Sequence, residues 1–425
     1  MRMRMKQFRR FFSGWRLRRM CGFLFFAVFF YCFVFQPFSY NQLTDTTFLG
    51  ENKCPACFGT DLCEEFENGK ILFKYSSRLR ILDIFNIKNV YFAIYEGMDV
   101  ALKRLGHDSE FDQLDRWICE TGKEGPQCHI PSVTYYSNFS RMIYEGLSPK
   151  SLTDMSDMVR CPSQRLIDRV LEKYAEHLGK ETEELSYQEK LHFLSTLKFN
   201  PEPLMLQTFP ITEGWPFPFY FGACGPFYFG ACGRLTVVQK CEKTLGSYYS
   251  APWLKRVELS LQMMKIAEYL TNNEADFAMY LTDLTYENFG VTSDGNLFFI
   301  DVENVIVVDK QKIKTDKPRD WNARYQSHFD ECVGMSNCLS FDVSALCRYL
   351  NTDHNYYAVC RNMLSDYASE MGKPGGFLHS PPETVVHEGR LQRLLEECAR
   401  PKTPFGRFDA AKELIELLGS FLKER

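Results

Sequence analysis

The stretch YLTDLTYENFGVTSDGNLFFIDVEN, Tyr280 to Asn304, constrains the fold more than any other part of the chain. Two short apolar runs, FGV and LFFID, flank Thr292-Ser293-Asp294-Gly295-Asn296, a turn-rich connection of the kind that closes a β-hairpin. A hairpin folds its two ends together, which brings Asn288 at the start of one strand beside Asp301 at the end of the other. An amide oxygen and a carboxylate so placed can share divalent ions. Asp283, on the loop just before, can face an attacking hydroxyl. The spacing is D-L-x-x-x-N from Asp283 to Asn288, with Asp301 thirteen residues further on.

The rest of the chain supplies the setting. With 425 residues, 45% of them hydrophobic, there is enough material for one large domain or two small ones. A formal net charge of -4 leaves no basic excess, so no nucleic-acid partner is expected. The basic residues concentrate only at the start: the first twenty positions hold eight Lys or Arg and no acid, and the next stretch, Cys21 to Phe38, carries no charge. A basic flank followed by an aromatic apolar run reads as a signal anchor with a cytosolic N-terminus, or as a cleaved signal peptide. Both readings place residues 44–425 in the secretory lumen, and the chain stays tied to the membrane through its N-terminal segment if that segment is uncleaved.

Sixteen cysteines, fourteen of them after Cys32, agree with an oxidising compartment and read as a disulfide framework. Cys54, Cys57 and Cys63 cluster in KCPACFGTDLC; a C-x-x-C also suits a zinc half-site or a redox motif, but no second C-x-x-C or paired His follows at ligand spacing. Asn138-Phe139-Ser140 is the one glycosylation sequon, usable only in the lumen.

Patterning predicts an α+β plan. NVYFAIYEGMDVALKRLG, Asn89 to Gly106, breaks at Glu96-Gly97-Met98-Asp99 between two β-rich runs, which predicts a hairpin whose second strand is DVALKRL. Helical periodicity follows in DSEFDQLDRWIC, with Ser109 or Asp108 as cap, and in SQRLIDRVLEKYAEHL and YQEKLHFLSTL. Strands return in RLTVVQ, and long helices in Trp253 to Leu270 and in the terminal FDAAKELIELLGSFL.

The D-L-x-x-x-N hairpin resembles the catalytic core of the protein kinase family, whose pattern is H-R-D-L-x-x-x-N followed by D-F-G. The resemblance implies a two-lobed kinase-like fold, with an N-lobe over about 70–238 that carries a helical insert at 120–200, and a C-lobe over about 239–425. It makes Asp283 the catalytic Asp, and Asn288 and Asp301 the residues that hold Mg²⁺ or Mn²⁺. Val100-Ala101-Leu102-Lys103 is similar to the V-A-I-K strand, so Lys103 would hold the phosphates of ATP. Its partner acid is open among Glu110 and Asp115 on the next helix and Glu189 on the helix nearest the octapeptide repeat. KCPACFGT, RCPSQRLIDRVLEKYAE, NPEPLMLQTFP, GACGR and GRFDAAKEL further resemble the divergent protein kinase domain 2 family, the deleted-in-autism-1-like secretory proteins. That likeness implies a Golgi or secreted kinase-like protein and brings no substrate with it; the partner expected is a secretory-pathway protein substrate or a cell-surface receptor.

Departures from the kinase pattern divide the functional reading. No G-x-G-x-x-G precedes Lys103, Thr282 stands where H-R-D has Arg, D-F-G becomes Asp301-Val302-Glu303, and no A-P-E follows. An ATP-dependent phosphotransferase acting on protein hydroxyls is the leading expectation; a secreted pseudokinase that docks a receptor, or a glycan kinase, is the alternative. The octapeptide PFYFGACG, repeated without change at Pro218–Gly225 and Pro226–Gly233, is far shorter than the roughly 20 to 50 residues of structural repeats. It reads as a tandem duplication, of which one copy enters a sheet hairpin and the other lies in a loop.

Overall fold

The computed structural model describes residues 42–74, 90–217, 228–240, 243–328, 339–370 and 373–423. The basic flank, the apolar run at 21–38, Cys224 and Cys241 lie outside the described residues. Among the described residues no helix is long and apolar enough to cross a membrane.

An antiparallel sheet of five strands forms first: β1 (Leu72–Phe73), β2 (Val90–Tyr95), β3 (Met98–Lys103), β4 (Tyr228–Cys232) and β5 (Leu235–Gln239), in the order β1-β2-β3-β5-β4. The β2–β3 hairpin is the predicted one. Its two-residue turn, Glu96-Gly97, has φ of 50° and 77°, the left-handed pair that matches strand twist. Side chains alternate across β3, so Val100 and Leu102 join Tyr91, Ala93 and Tyr95 in one apolar layer. Ala101 belongs to the main core on the opposite face, and Lys103 shares that face by the same alternation. The hairpin register thus decides where the lysine points.

The second octapeptide copy supplies β4, and Cys232 joins Cys63. Gly233 closes the β4–β5 turn at φ 64°, where a Cβ would lie 2.4 Å from the Leu49 carbonyl. The chain before β1 packs that tightly on the turn. Phe58 N–H donates to the Gly233 carbonyl at 2.8 Å, and Gly233 N–H donates to that of Gly59 at 2.9 Å. The described disulfides are Cys54–Cys57, Cys63–Cys232, Cys119–Cys128, Cys161–Cys347 and Cys360–Cys398. Loop-closure entropy makes them unequal. The 169-residue separation of Cys63 and Cys232 corresponds to about 5 kcal/mol, whereas the separation of 3 between Cys54 and Cys57 corresponds to about 2.

Between β3 and β4 come the helices α1 (Asp108–Thr121), α2 (Gln164–His177), α3 (Tyr187–Phe199) and α4 (Glu202–Thr208). Ser163 and Ser186 cap α2 and α3, accepting from Leu166 N–H and Glu189 N–H. The start of α1 differs from expectation: Asp108 and Ser109 are already helical, and Glu110 reaches back to accept from His107 N–H at 2.6 Å. An acceptor three residues inside the helix serves a free amide as well as a residue at the cap.

The remaining chain is mostly helical, with α5 (Trp253–Thr271), α6 (His354–Val359), α7 (Arg390–Ala399) and α8 (Gly406–Lys423). Strand β6 (Lys243–Thr244) pairs with β8 (Phe289–Val291), which forms the predicted hairpin with β9 (Leu297–Phe299); β7 (Phe277–Leu281) pairs antiparallel with β10 (Val305–Asp309). A buried polar network braces β7. The Asn355 amide accepts from Leu281 N–H at 3.0 Å and donates to the Met279 carbonyl at 2.8 Å, and His354 Nε2 donates to the Leu281 carbonyl at 2.8 Å. The wholly buried ion pair of Arg407 and Asp353 anchors α8 to this network. Burying the pair costs desolvation, but the Arg407 guanidinium also donates to the carbonyls of Cys398, Ser327 and Ala399, which leaves its fork satisfied.

Two outcomes follow. Deleting either octapeptide copy yields the same chain, in which the surviving Cys still reaches Cys63, so the melting temperature is expected within about 3 °C of the parent; a larger drop would make the repeat structural. The second concerns His354, which burial pushes down to about 4, with Arg407 acting the same way. The unfolded chain therefore takes up this proton first as pH falls. The stability of the neutral, buried form is fully present above about pH 6.5 and is lost progressively toward pH 4, up to about 3 kcal/mol. Denaturant titrations should show a shallower acid loss in His354→Asn. Asp353, whose pKa burial raises, and Arg407 remain in both proteins, so their contributions cancel in the comparison.

Candidate functional site

A cleft of about 750 Å³ opens where the end of β3 meets the segment from Asp283 to Asn304. Its lining includes Lys103, Glu202, Asp283, Asp301, Glu303 and Asn304. Strand β3 delivers Lys103 to this space, and Lys103 Nζ lies 2.7 Å from Glu202 Oε1. Glu202 is the first residue of α4 and only 3% exposed. An acid in the first helical turn faces unpaired backbone N–H groups, which favours the carboxylate. Pro201 and Pro203 fix the backbone on either side and start the helix there.

Asn200 holds this junction against the other wall of the cleft. Its Oδ1 accepts from Glu202 N–H at 2.9 Å, while Nδ2 donates to the Leu105 carbonyl at 3.0 Å and to the Glu303 carboxylate. One buried amide therefore ties the exit of β3, the start of α4 and the acidic segment together. Val302, wholly buried between Asp301 and Glu303, pins that segment to the core. Thr282 donates to the Asn304 carbonyl, so the loop bearing Asp283 is fastened to the chain just past Glu303.

The electrostatics are dominated by carboxylates. Glu110, Asp157, Glu202, Asp283, Asp301 and Glu303 line the cleft against Lys103 and Lys198. Burial works against the Lys103 ammonium, but Glu202 first, then Asp301 and Glu303, hold its pKa above the ordinary lysine value. Glu303 is pushed up to about 7 by burial and then by the charges of Asp301 and Glu202; Asn200 and Lys103 offset only part of that. Such a donor set, rich in hard oxygen ligands and short of positive charge, fits a divalent cation.

The sequence-predicted residues separate here. Lys103, Asp283 and Asp301 share the cleft. Asn288 sits at the hairpin base as expected, and its carbonyl accepts from Ile300 N–H at 2.7 Å. Its side chain, however, is buried and engaged: Asn288 Oδ1 accepts from Thr285 N–H at 2.9 Å and from the Thr285 hydroxyl. A backbone N–H only donates, so the oxygen rather than the nitrogen faces Thr285. None of the three acids weighed for Lys103 holds it. Glu110 reaches the cleft wall while serving His107 N–H. Asp115 binds Lys53 at 2.7 Å and also Arg234. Glu189 pairs with Lys180 at 2.6 Å. The partner is Glu202, 99 residues from Lys103 in sequence, with Asn200 beside it. The available signal was Asn200-Pro201-Glu202-Pro203, an acid placed by prolines at a helix start.

Residues 194–401 match the family described as the protein-kinase domain of FAM69, a stretch that includes Glu202, Asp283, Asn288 and Asp301. The chain is 47% identical over 394 residues to divergent protein kinase domain 2A of Xenopus tropicalis, covering 90% of each. It is 47% identical to the protein of that name from Homo sapiens, covering 89% of each. With human divergent protein kinase domain 2B it shares 32% identity, covering 82% of this chain and 83% of the relative.

Glu202→Gln removes the largest attraction on the Lys103 ammonium, so its pKa should fall. Acylation of Lys103 at pH 9, followed by peptide mass spectrometry, is expected to speed up several-fold relative to the parent, with Lys314 as an internal reference. An unchanged rate would remove Glu202 as the group that holds the lysine.

Proposed function

Because the chain belongs to the divergent protein kinase domain 2 family, we propose that its kinase-like domain is a metal-dependent phosphotransferase that moves the γ-phosphoryl group of ATP to a hydroxyl on a secretory-pathway protein. The observation that carries this reading is the Lys103–Glu202 pair held over Asp301 in one carboxylate-rich cleft. Lys103, oriented by Glu202, contacts the α- and β-phosphates. Asp301 with Glu303 would hold Mg²⁺ or Mn²⁺, which supplies the positive charge that the cleft lacks against a triphosphate. Asp283 orients the acceptor hydroxyl and takes its proton as the new oxygen–phosphorus bond forms and the bond to the β-phosphate oxygen breaks. The Asn288 side chain keeps the turn after Asp283 in shape through Thr285.

The same reading places the protein in the Golgi lumen or outside the cell, behind a signal anchor or cleaved signal peptide at residues 21–38. Five disulfides among the described residues are in keeping with an oxidising compartment. Asn138, half-buried at the start of a short helix, is the candidate glycosylation position. A second reading, a secreted pseudokinase that binds a receptor, draws on the engaged Asn288 oxygen, which removes one ligand from the usual metal pair. A glycan hydroxyl as acceptor is the near variant of the first reading.

Purified protein with labelled ATP and Mn²⁺ or Mg²⁺ separates them. The parent should label an acceptor; Asp283→Asn should lose at least about 100-fold of that transfer while keeping nucleotide-dependent thermal stabilisation. Asp301→Asn should lose both. Stabilisation without transfer in the parent would favour the pseudokinase, and transfer undiminished in Asp283→Asn would overturn the assignment of Asp283.

A further inference from the structure

The C-x-x-C at Cys54 and Cys57 is not used by the nucleotide cleft, yet its surroundings are built for chemistry. The two residues bracket Pro55-Ala56 just after the turn Glu51–Lys53, and their disulfide closes the shortest loop of the five described. It therefore restrains the unfolded chain least, and the fold depends on it less than on the long-range disulfides. Cys54 is half-buried and Cys57 is wholly buried, so of the two residues only Cys54 presents surface to solvent.

His192, on α3, faces this pair. Its side chain is 3% exposed, and one of its ring nitrogens lies within 4.8 Å of both sulfurs. Nε2 finds no hydrogen-bond partner among the described residues. A buried polar nitrogen without a partner is costly unless something uses it. Burial pushes His192 down to about 4, against the opposing charges of Asp61 and Glu189, so the ring is neutral at physiological pH. The loop itself is held from outside the pair: Ser195 Oγ donates to the Pro55 carbonyl at 3.4 Å and Arg234 Nε to that of Ala56 at 2.9 Å. Opening the S–S bond leaves those anchors in place.

We propose that Cys54 and Cys57, with His192, form a thiol–disulfide exchange site for a low-molecular-weight thiol of the glutathione class. The thiolate of the small thiol attacks Cys54 Sγ; a new sulfur–sulfur bond forms, the Cys54–Cys57 bond breaks, and its electron pair leaves on Cys57 Sγ. His192 donates a hydrogen bond from its ring N–H to that buried thiolate, the charge held on the wholly buried cysteine. A second small thiolate attacks the small-thiol sulfur of the mixed disulfide and releases Cys54. Two small thiols are oxidised to their disulfide, the protein pair is reduced to two thiols, and the two protons pass from the small thiols to the cysteines. A small reagent is favoured over a protein because only Cys54 of the pair is accessible.

The test equilibrates the full chain in glutathione buffers of stepped ratio, quenches with acid, and reads each cysteine by differential alkylation and mass spectrometry. Cys54 and Cys57 are expected to be half-reduced at a buffer ratio at least tenfold less reducing than Cys63–Cys232 and Cys161–Cys347 require. Cys57→Ser should carry glutathione on Cys54 after exposure to glutathione disulfide. His192→Gln should slow reduction of the Cys54–Cys57 pair several-fold without altering the rate at Cys161–Cys347, a selectivity that general loosening of the fold would not give. Reduction of the pair together with or after the long-range disulfides, absence of an adduct on Cys54, or equal slowing at both disulfides would overturn the proposal.

Discussion

The ion pair of Lys103 and Glu202 is the contact on which the arrangement of the cleft depends. It joins a sheet strand to the first turn of a helix 99 residues away, and it does so with one partner almost wholly buried. A buried pair of this kind contributes little net stability, but Glu202 without Lys103 would be a buried charge without its counter-ion, whereas Lys103 would still face Asp301 and Glu303. The pair therefore favours α4 seated against β3. Asn200 extends the constraint to Glu303, so the position of the acidic segment is coupled to the position of the lysine.

Below the cleft, the loop bearing Asp283 is set by a different kind of support. Strand β7 is held on one side by β10 and on the other by His354 and Asn355, and Arg407 fixes that helix start through Asp353. Each of these polar groups is buried and hydrogen-bonded, which specifies one geometry rather than a family of packings. The helix α8 is thus linked to the strand that leads into Asp283 through a guanidinium bound to Asp353.

What could be read from the sequence was local. The β2–β3 and β8–β9 hairpins were visible because turn residues and strand alternation lie within a few positions of each other, and the long helices because their apolar periodicity runs over several turns. The lysine's partner was harder to see: the prolines around Glu202 mark an acid at a helix start, but nothing local ties that acid to Lys103, 99 residues away, until the chain is folded and Glu110, Asp115 and Glu189 are each found serving another group. The pairing of Cys63 with Cys232 was hidden for the same reason, since contacts across 169 residues leave no periodic trace. Asn288 marks a finer limit. The hairpin placed its backbone as expected, but the direction of its amide was decided by Thr285, three residues earlier.

The proposed phosphotransfer requires that one cleft bind a metal and a nucleotide together. A crystal structure of the protein with a non-hydrolysable ATP analogue and Mn²⁺, with the metal located by anomalous scattering, tests this most directly. A manganese peak is expected at the Asp301 carboxylate, with the phosphates in reach of Lys103 and the Lys103–Glu202 contact retained. A nucleotide bound elsewhere, or a metal peak absent from Asp301 in crystals that contain the nucleotide, would contradict it.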